Sequence, residues 1–163
     1  MNDKHRQVLD LLNEDTRIPL ERMAVMLGMD LKEVAEIIDT LEKDRVILCY
    51  RPVINWDKTE RKLVEAMIEV KVTPQRDFGF DAIAKRINSF EEVRSLYLMS
   101  GTYDLLIQVT APSLKELAQF VSDRLSPLET VTGTSTSFVL KRYKQDGVVF
   151  DMPDEDRRLT ISP

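Results

Sequence analysis

The sequence predicts an α+β chain: a helical N-terminal third, an extended connection, and a C-terminal part in which strands and helices alternate as β-α-β-β-α-β. Three observations predict it. Apolar residues recur at helical spacing as far as Leu41, the period changes to two from Val64 onward, and capping or turn residues punctuate the segments between.

From Lys4 to Asn13, the residues Val8, Leu9, Leu11 and Leu12 mark a short amphipathic helix. Pro19 is expected at the first position of a second helix, where its missing N–H has no intrahelical partner to lose, with Leu20, Met23, Ala24 and Leu27 as the stripe. Gly28 closes that helix as a left-handed residue. Asp30 is expected to cap a third helix with Glu33 as its reciprocal partner, and Leu31, Val34, Ile38 and Leu41 form the buried stripe. A tight Gly28-Met29-Asp30 corner thus joins two helices, the spacing of a helix-turn-helix, whose second helix keeps one face turned outward.

Val46 to Trp56 is rich in β-formers but broken by Pro52, and reads as an extended linker or edge strand. The expected divisions are residues 1–57 for the three helices with a linker strand, 62–150 for the α+β domain, and 151–163 for a mobile tail. In the second domain Val64, Ala66, Ile68, Val70 and Val72 alternate with Glu65, Met67, Glu69 and Lys71, a strand with one apolar face that Pro74 ends. Phe80, Ile83, Ala84 and Ile87 make a helix, Val93 to Met99 a second strand, Gly101-Thr102-Tyr103-Asp104 a turn, and Leu105 to Val109 a third strand. Ser113-Leu114-Lys115-Glu116 is a capping box opening a helix with Leu114, Leu117, Ala118, Val121 and Leu125 inward; Pro127 ends it. Thr134 to Tyr143 is the fourth strand. The order is that of a split βαβ, ferredoxin-like domain with both helices on one sheet face; the other face, partly apolar, predicts burial against a second copy.

Composition narrows the function. A chain of 163 residues, 43% hydrophobic, supports two small domains with modest cores. The lone Cys49 forms no internal disulfide, and with His5 the only histidine there is no metal-spaced pair. There is no glycine-rich phosphate loop and no Gly-x-Ser-x-Gly elbow, so neither enzyme nor cofactor is expected. The opening MNDKHRQVLD lacks the apolar core of an export signal, and no stretch approaches the roughly 18 apolar residues of a membrane span. A cytoplasmic protein without a membrane partner is expected.

Taken together, an N-terminal helix-turn-helix, a linker and a β-α-β-β-α-β domain resemble the Lrp/AsnC (feast/famine) family, covering the chain to about Phe150. Arg17-Ile18-Pro19-Leu20-Glu21-Arg22-Met23-Ala24 is similar to the family's R-I-x-x-x-x-L-A segment, and Leu41-Glu42-Lys43-Asp44-Arg45-Val46-Ile47 to its L-E-x-x-G-V-I ending. Gly101 to Asp104 resembles the Gly-x-Tyr-Asp turn, and Thr134 to Leu140 the threonine-rich last strand. The resemblance implies a transcription regulator with a winged-type helix-turn-helix and a RAM (regulation of amino acid metabolism) sensing domain. It further implies dimers, often assembled into octamers, and an amino-acid effector bound between dimers near that turn. Asp44-Arg45 stands where the family has glycine.

Candidate DNA contacts are Arg17, Arg22, Lys32, Lys43 and Arg45, because phosphate contacts dominate DNA affinity; for each one a solvated surface cation is the competing reading. Glu33 and Glu36 have the chemistry to accept from cytosine amino groups, with capping favoured for Glu33. Residues 1–57 hold eight basic and twelve acidic side chains, so the head itself is net negative. Effector candidates are the turn residues Gly101, Thr102, Tyr103 and Asp104, with Met99 as an apolar wall and, by the resemblance, Thr134 and Thr136. The structural alternative gives Gly101 the positive-φ position of a hairpin turn and Asp104 a turn hydrogen bond. A sensing or protein-interaction module without sequence-specific DNA binding is the rival function. An acyl-phosphate hydrolase would need glycines that Lys71 to Arg76 lacks, and an RNA binder would need aromatics on the sheet.

Overall fold

The computed structural model describes residues 2–73 and 79–150 and divides into two compact units, Met1–Pro52 and Val53–Pro163. Pro74, expected to end the first strand, and the tail 151–163 lie outside the described residues.

The N-terminal unit is three helices, α1 (Asp3–Glu14), α2 (Leu20–Leu27) and α3 (Leu31–Lys43), around Val8, Leu12, Met23, Ala24, Val34, Ile37 and Leu41. Pro19 caps α2 rather than opening it: its ψ of 144° is extended and its carbonyl already accepts from Met23 N–H at 3.0 Å. Leu20 and Leu31, each the first residue of its helix, are exposed, because side chains there point back past the end of the packed face. Ile37 takes the buried place. The corner between α2 and α3 is a Schellman turn, with Met29 N–H donating to Ala24 O (3.0 Å), Gly28 N–H to Val25 O (3.3 Å), and Gly28 at φ 62°. The same device ends α3, where Val46 N–H reaches Leu41 O (2.8 Å) and Arg45 N–H reaches Glu42 O (3.0 Å). Arg45, not glycine, occupies the left-handed position there, at φ 56°. The reciprocal cap expected of Asp30 and Glu33 is not formed; the Glu33 side chain turns to Lys4 of α1 at 2.5 Å instead.

The linker strand expected over Val46–Trp56 is absent among the described residues. Strand propensity becomes a strand only with a partner, and Val46, Leu48, Tyr50, Val53 and Ile54 instead stay exposed up to a 3₁₀ turn at Trp56–Lys58.

The second unit holds an antiparallel sheet of β1 (Val64–Val72), β2 (Val93–Leu98), β3 (Leu105–Ala111) and β4 (Val131–Phe138), ordered β2-β3-β1-β4, with α4 (Asp81–Asn88) and α5 (Leu114–Phe120). This is the split βαβ order expected of the alternation. Ala66, Ile68, Val70 and Val72 of β1 and Leu105, Ile107, Val109 and Ala111 of β3 share one face, and they are buried with Ile83 and Ile87 of α4 and Leu117, Phe120 and Leu125. Both helices therefore cover that face. After Phe120 the helix runs on as a π turn, Val121–Leu125. Leu117 and Phe120, three apart, form the buried face of α5, which leaves Leu114 at the start of the helix and Ala118, both expected inward, exposed; the π turn then carries Leu125 inward. Ser113 caps α5 as expected, accepting from Glu116 N–H at 3.2 Å.

β4 starts three residues earlier than expected and stops at Phe138, because Val131 already pairs with Val72 while Val139 turns its N–H to Glu65 O (2.9 Å). A small hairpin follows, β5 (Lys144–Gln145) and β6 (Val148–Val149), turning at Asp146-Gly147 with φ 48° and 82°. On the sheet's second face, Arg142 pairs with Glu65, Gln108 donates to Glu65 (2.6 Å) and Ser95 donates to Gln108 (3.0 Å), a polar chain across three strands. Met67, Leu106 and Tyr97 stand on the same face, with Tyr97 53% exposed.

Candidate functional site

In the N-terminal unit the five basic candidates form two groups. Arg17 and Arg22 flank the start of α2 and Lys32 lies in the first turn of α3, whereas Lys43 and Arg45 stand at its far end. Eleven residues at a rise of about 1.5 Å separate Lys32 from Lys43 by roughly 16 Å along the helix, a span comparable with the ~12 Å width of a DNA major groove. All five are exposed. Three carry acidic partners: Arg17 with Asp15 (3.9 Å), Lys32 with Glu36 (3.7 Å) and Lys43 with Asp39 (2.5 Å). The hydrogen bond from Lys43 to Asp39 and the attraction of that carboxylate raise the Lys43 pKa. Arg22 makes no ion pair among the described residues. Exposed pairs of this kind are weak and screened by salt, so the pairing orders the side chains without blocking an anionic duplex.

The second candidate region lies at one end of the sheet. Pairing of β1 with β3 ends at Val70, and the next N–H on that side of the strand, that of Val72, is accepted by the Asp104 carboxylate at 2.9 Å. Asp104 N–H donates to Val70 O (3.1 Å), and Asp104 O accepts from Met99 N–H (2.8 Å). Asp104 thus closes the 99–104 turn with one bond and sews it to β1 with two, more than the turn bond expected of it. Tyr103 and Asp104 are half-buried, while Gly101, Thr102 and Met99 face outward. Gly101 does not take the positive-φ position expected of it, since the turn spans six residues rather than the two of a tight hairpin. A methyl group built there meets nothing within 4 Å, so nothing within the chain requires glycine.

Thr134 pairs with Val70 and Thr136 with Ile68, on the helix-bearing face of an edge strand. Val70 also pairs with Leu105, so Thr134 and the end of the turn flank one β1 residue at two strand spacings, roughly 10 Å. Cavities of about 490 and 190 Å³ lie elsewhere, around Phe90 and Arg124 and around Ile83 and Thr130; neither reaches the turn. Among the described residues no group of three His, Cys, Asp or Glu is placed to hold a metal ion, and no helix is long and apolar enough to cross a membrane.

Sequence reasoning missed Lys4 as the partner of Glu33, the Val72–Asp104 bond and the last hairpin. Only the hairpin had a usable signal, Asp146-Gly147 being a favoured two-residue turn. The bond depends on where the pairing of β1 with β3 ends, which no local pattern announces.

Residues 65–149 match the family described as "Lrp/AsnC ligand binding domain". Over its full length the chain is 48% identical to 99% of a Bacillus subtilis protein named as an uncharacterized HTH-type transcriptional regulator, YugG. It is 28% identical, over 88% of its length and 99% of the relative's, to the HTH-type transcriptional regulator LrpA of Pyrococcus abyssi. A solved transcriptional regulator of Neisseria meningitidis, in complex with L-Met, superposes with a TM-score of 0.72 over 94% of this chain and 96% of that one, at 20% identity.

Proposed function

The chain belongs to the Lrp/AsnC family of helix-turn-helix transcriptional regulators, and from that premise we propose a DNA-binding regulator of amino-acid-related genes whose effector, an amino acid, binds at the 99–104 turn. The observation that carries the reading is the corner between α2 and α3. Its Schellman bonds and left-handed Gly28 end α2 and let α3 begin three residues later, and the buried stripe of α3 leaves a charged ridge outward, the arrangement by which a helix-turn-helix offers a recognition helix to a major groove. Arg17 and Arg22 would contact phosphates on one side of the groove and Lys43 and Arg45 on the other, with Lys32 inside the groove between them.

At the turn, Asp104 and Tyr103 serve as the anchor. Gly101 and Thr102 offer free backbone N–H and C=O groups to the ammonium and carboxylate of an amino acid, Met99 gives an apolar wall, and Thr134 and Thr136 supply hydroxyls from the neighbouring edge. The site is open in one chain. A second copy would close it, and the half-apolar second sheet face gives a dimer its surface, with octamers as the further assembly. An effector that prefers one assembly shifts the spacing of the DNA-binding heads. The reading assigns no catalysis and places the protein in the cytoplasm.

Selection of bound fragments from a random DNA pool at about 50 and 200 mM salt tests it, since phosphate-driven affinity falls steeply over that range. The expected result is a pseudo-palindrome with spaced half-sites, weakened by Lys32→Ala. The acidic ridge of α3 favours one second reading, a sensing and protein-interaction module. No enrichment at either salt would establish that module in place of the regulator.

A further inference from the structure

The buried stripe Val34, Ile37 and Leu41 fixes which side of α3 faces out. At about 100° per residue, Lys32, Glu36, Asp39 and Lys43 fall within a narrow ridge directly opposite that stripe. Two of the acidic groups on this helix are already engaged: Glu33, on the flank, is held by Lys4 at 2.5 Å, and Asp39 by Lys43 at 2.5 Å. The Thr40 hydroxyl is engaged too, donating to Glu36 O at 2.8 Å. Glu36 differs. Its carboxylate is 68% exposed, lies 3.7 Å from Lys32, beyond hydrogen-bond reach, and sits in the second turn, in the middle of the ridge.

A carboxylate there is repelled by phosphate and accepts hydrogen bonds only. Among the base edges of the major groove, cytosine N4 has an acceptor on one side only, the O6 of its paired guanine, whereas adenine N6 lies between N7 and thymine O4, which repel a carboxylate while N6 and N7 together suit an amide. Lys32, one turn earlier on the same ridge, is a donor fitted to guanine O6 and N7, and side chains four apart on a helix stand about 6 Å from each other, within two base-pair steps. We propose that Glu36 is a specificity-determining residue that reads a cytosine amino group in the major groove, with Lys32 on a guanine of the same or an adjacent pair. The proposal rests on the regulator reading and adds its base preference.

Selection from random duplex DNA by the full chain, as wild type, Glu36→Gln and Glu36→Ala, tests it, with circular dichroism to verify that each variant is folded. The wild type is expected to enrich a half-site containing an invariant cytosine. Glu36→Gln is expected to lose that preference by about five- to a hundredfold, with adenine gaining at the same position, while other positions persist. Affinity for unselected DNA is expected to stay equal or to rise, because a negative charge has gone. Variants that select the wild-type motif with its cytosine preference intact would overturn the proposal and leave the regulator reading standing. A wild type that enriches no sequence would overturn both.

Discussion

Replacing Arg45 by glycine is expected to stabilise the N-terminal unit, although it removes a charged residue proposed to touch DNA. Arg45 ends α3 in the left-handed region at φ 56°, the position that Gly28 fills at the end of α2 with φ 62°. An L-residue there costs about 1–2 kcal/mol, and glycine gives back about 0.5–1 kcal/mol through its greater freedom in the unfolded chain. The net gain is about 0.5–1 kcal/mol. With a urea dependence of about 1 kcal/mol per molar for so small a unit, the midpoint should rise by about 0.5–1 M. Gly28→Ala is expected to move it the other way by a similar amount, and a methyl group built there meets nothing within 4 Å, so the loss is purely conformational. Urea unfolding followed by far-ultraviolet circular dichroism reads both, with Arg45→Ala as the control that removes the guanidinium but keeps the strain. A midpoint that rises equally in Arg45→Ala would refute the reasoning, since charge rather than φ would then be the cause.

At the turn, Asp104→Ala is expected to destabilise the second unit by about 1–3 kcal/mol, because it orphans Val72 N–H; thermal unfolding measures it. Gly101→Ala is expected to leave stability within about 0.5 kcal/mol yet weaken amino-acid binding in calorimetry, separating a ligand-facing residue from a structural one. Ser113→Ala removes the cap of α5 and should cost about 1 kcal/mol in the same unfolding experiment. Although Tyr50 is 44% exposed, partial desolvation of its hydroxyl and then its hydrogen bond to Glu42 (2.9 Å) push it up to about 12, so the neutral phenol is favoured in the folded chain. That stabilisation is full below pH 10 and is lost as pH rises toward 12; ultraviolet titration should show one of the four tyrosines ionising late, and Tyr50→Phe should abolish the late step.

What was legible in the sequence was whatever a short stretch decides by itself. The two-residue period of Val64 to Val72 gave β1 and its buried face, and Gly28 before Asp30 gave the corner. The helix of Ser113 is legible at its cap but not along its face, where Phe120 rather than Ala118 joins Leu117 on the buried side. Residues 46–56 carry the composition of a strand, but a strand also needs a partner, and the pattern holds no information about one. The candidate site divides in the same way. The basic residues and the turn follow from type and order, whereas the role of Asp104 requires the register of β1 against β3, and the looser hold on Glu36 requires knowing that Lys4 takes Glu33 while Lys32 stays 3.7 Å from Glu36.

The central claim is that the turn at 99–104 and the ridge of α3 belong to one switch. It is tested most directly by titrating the full chain onto its selected DNA, by fluorescence anisotropy, in the presence of each of the standard amino acids in turn. The account predicts that at least one amino acid changes the apparent DNA affinity by about five- to 150-fold, the usual range of coupling between two sites, and that Gly101→Ala removes the change while leaving ligand-free affinity intact. DNA affinity that no amino acid alters, or a response that survives in Gly101→Ala, would contradict it.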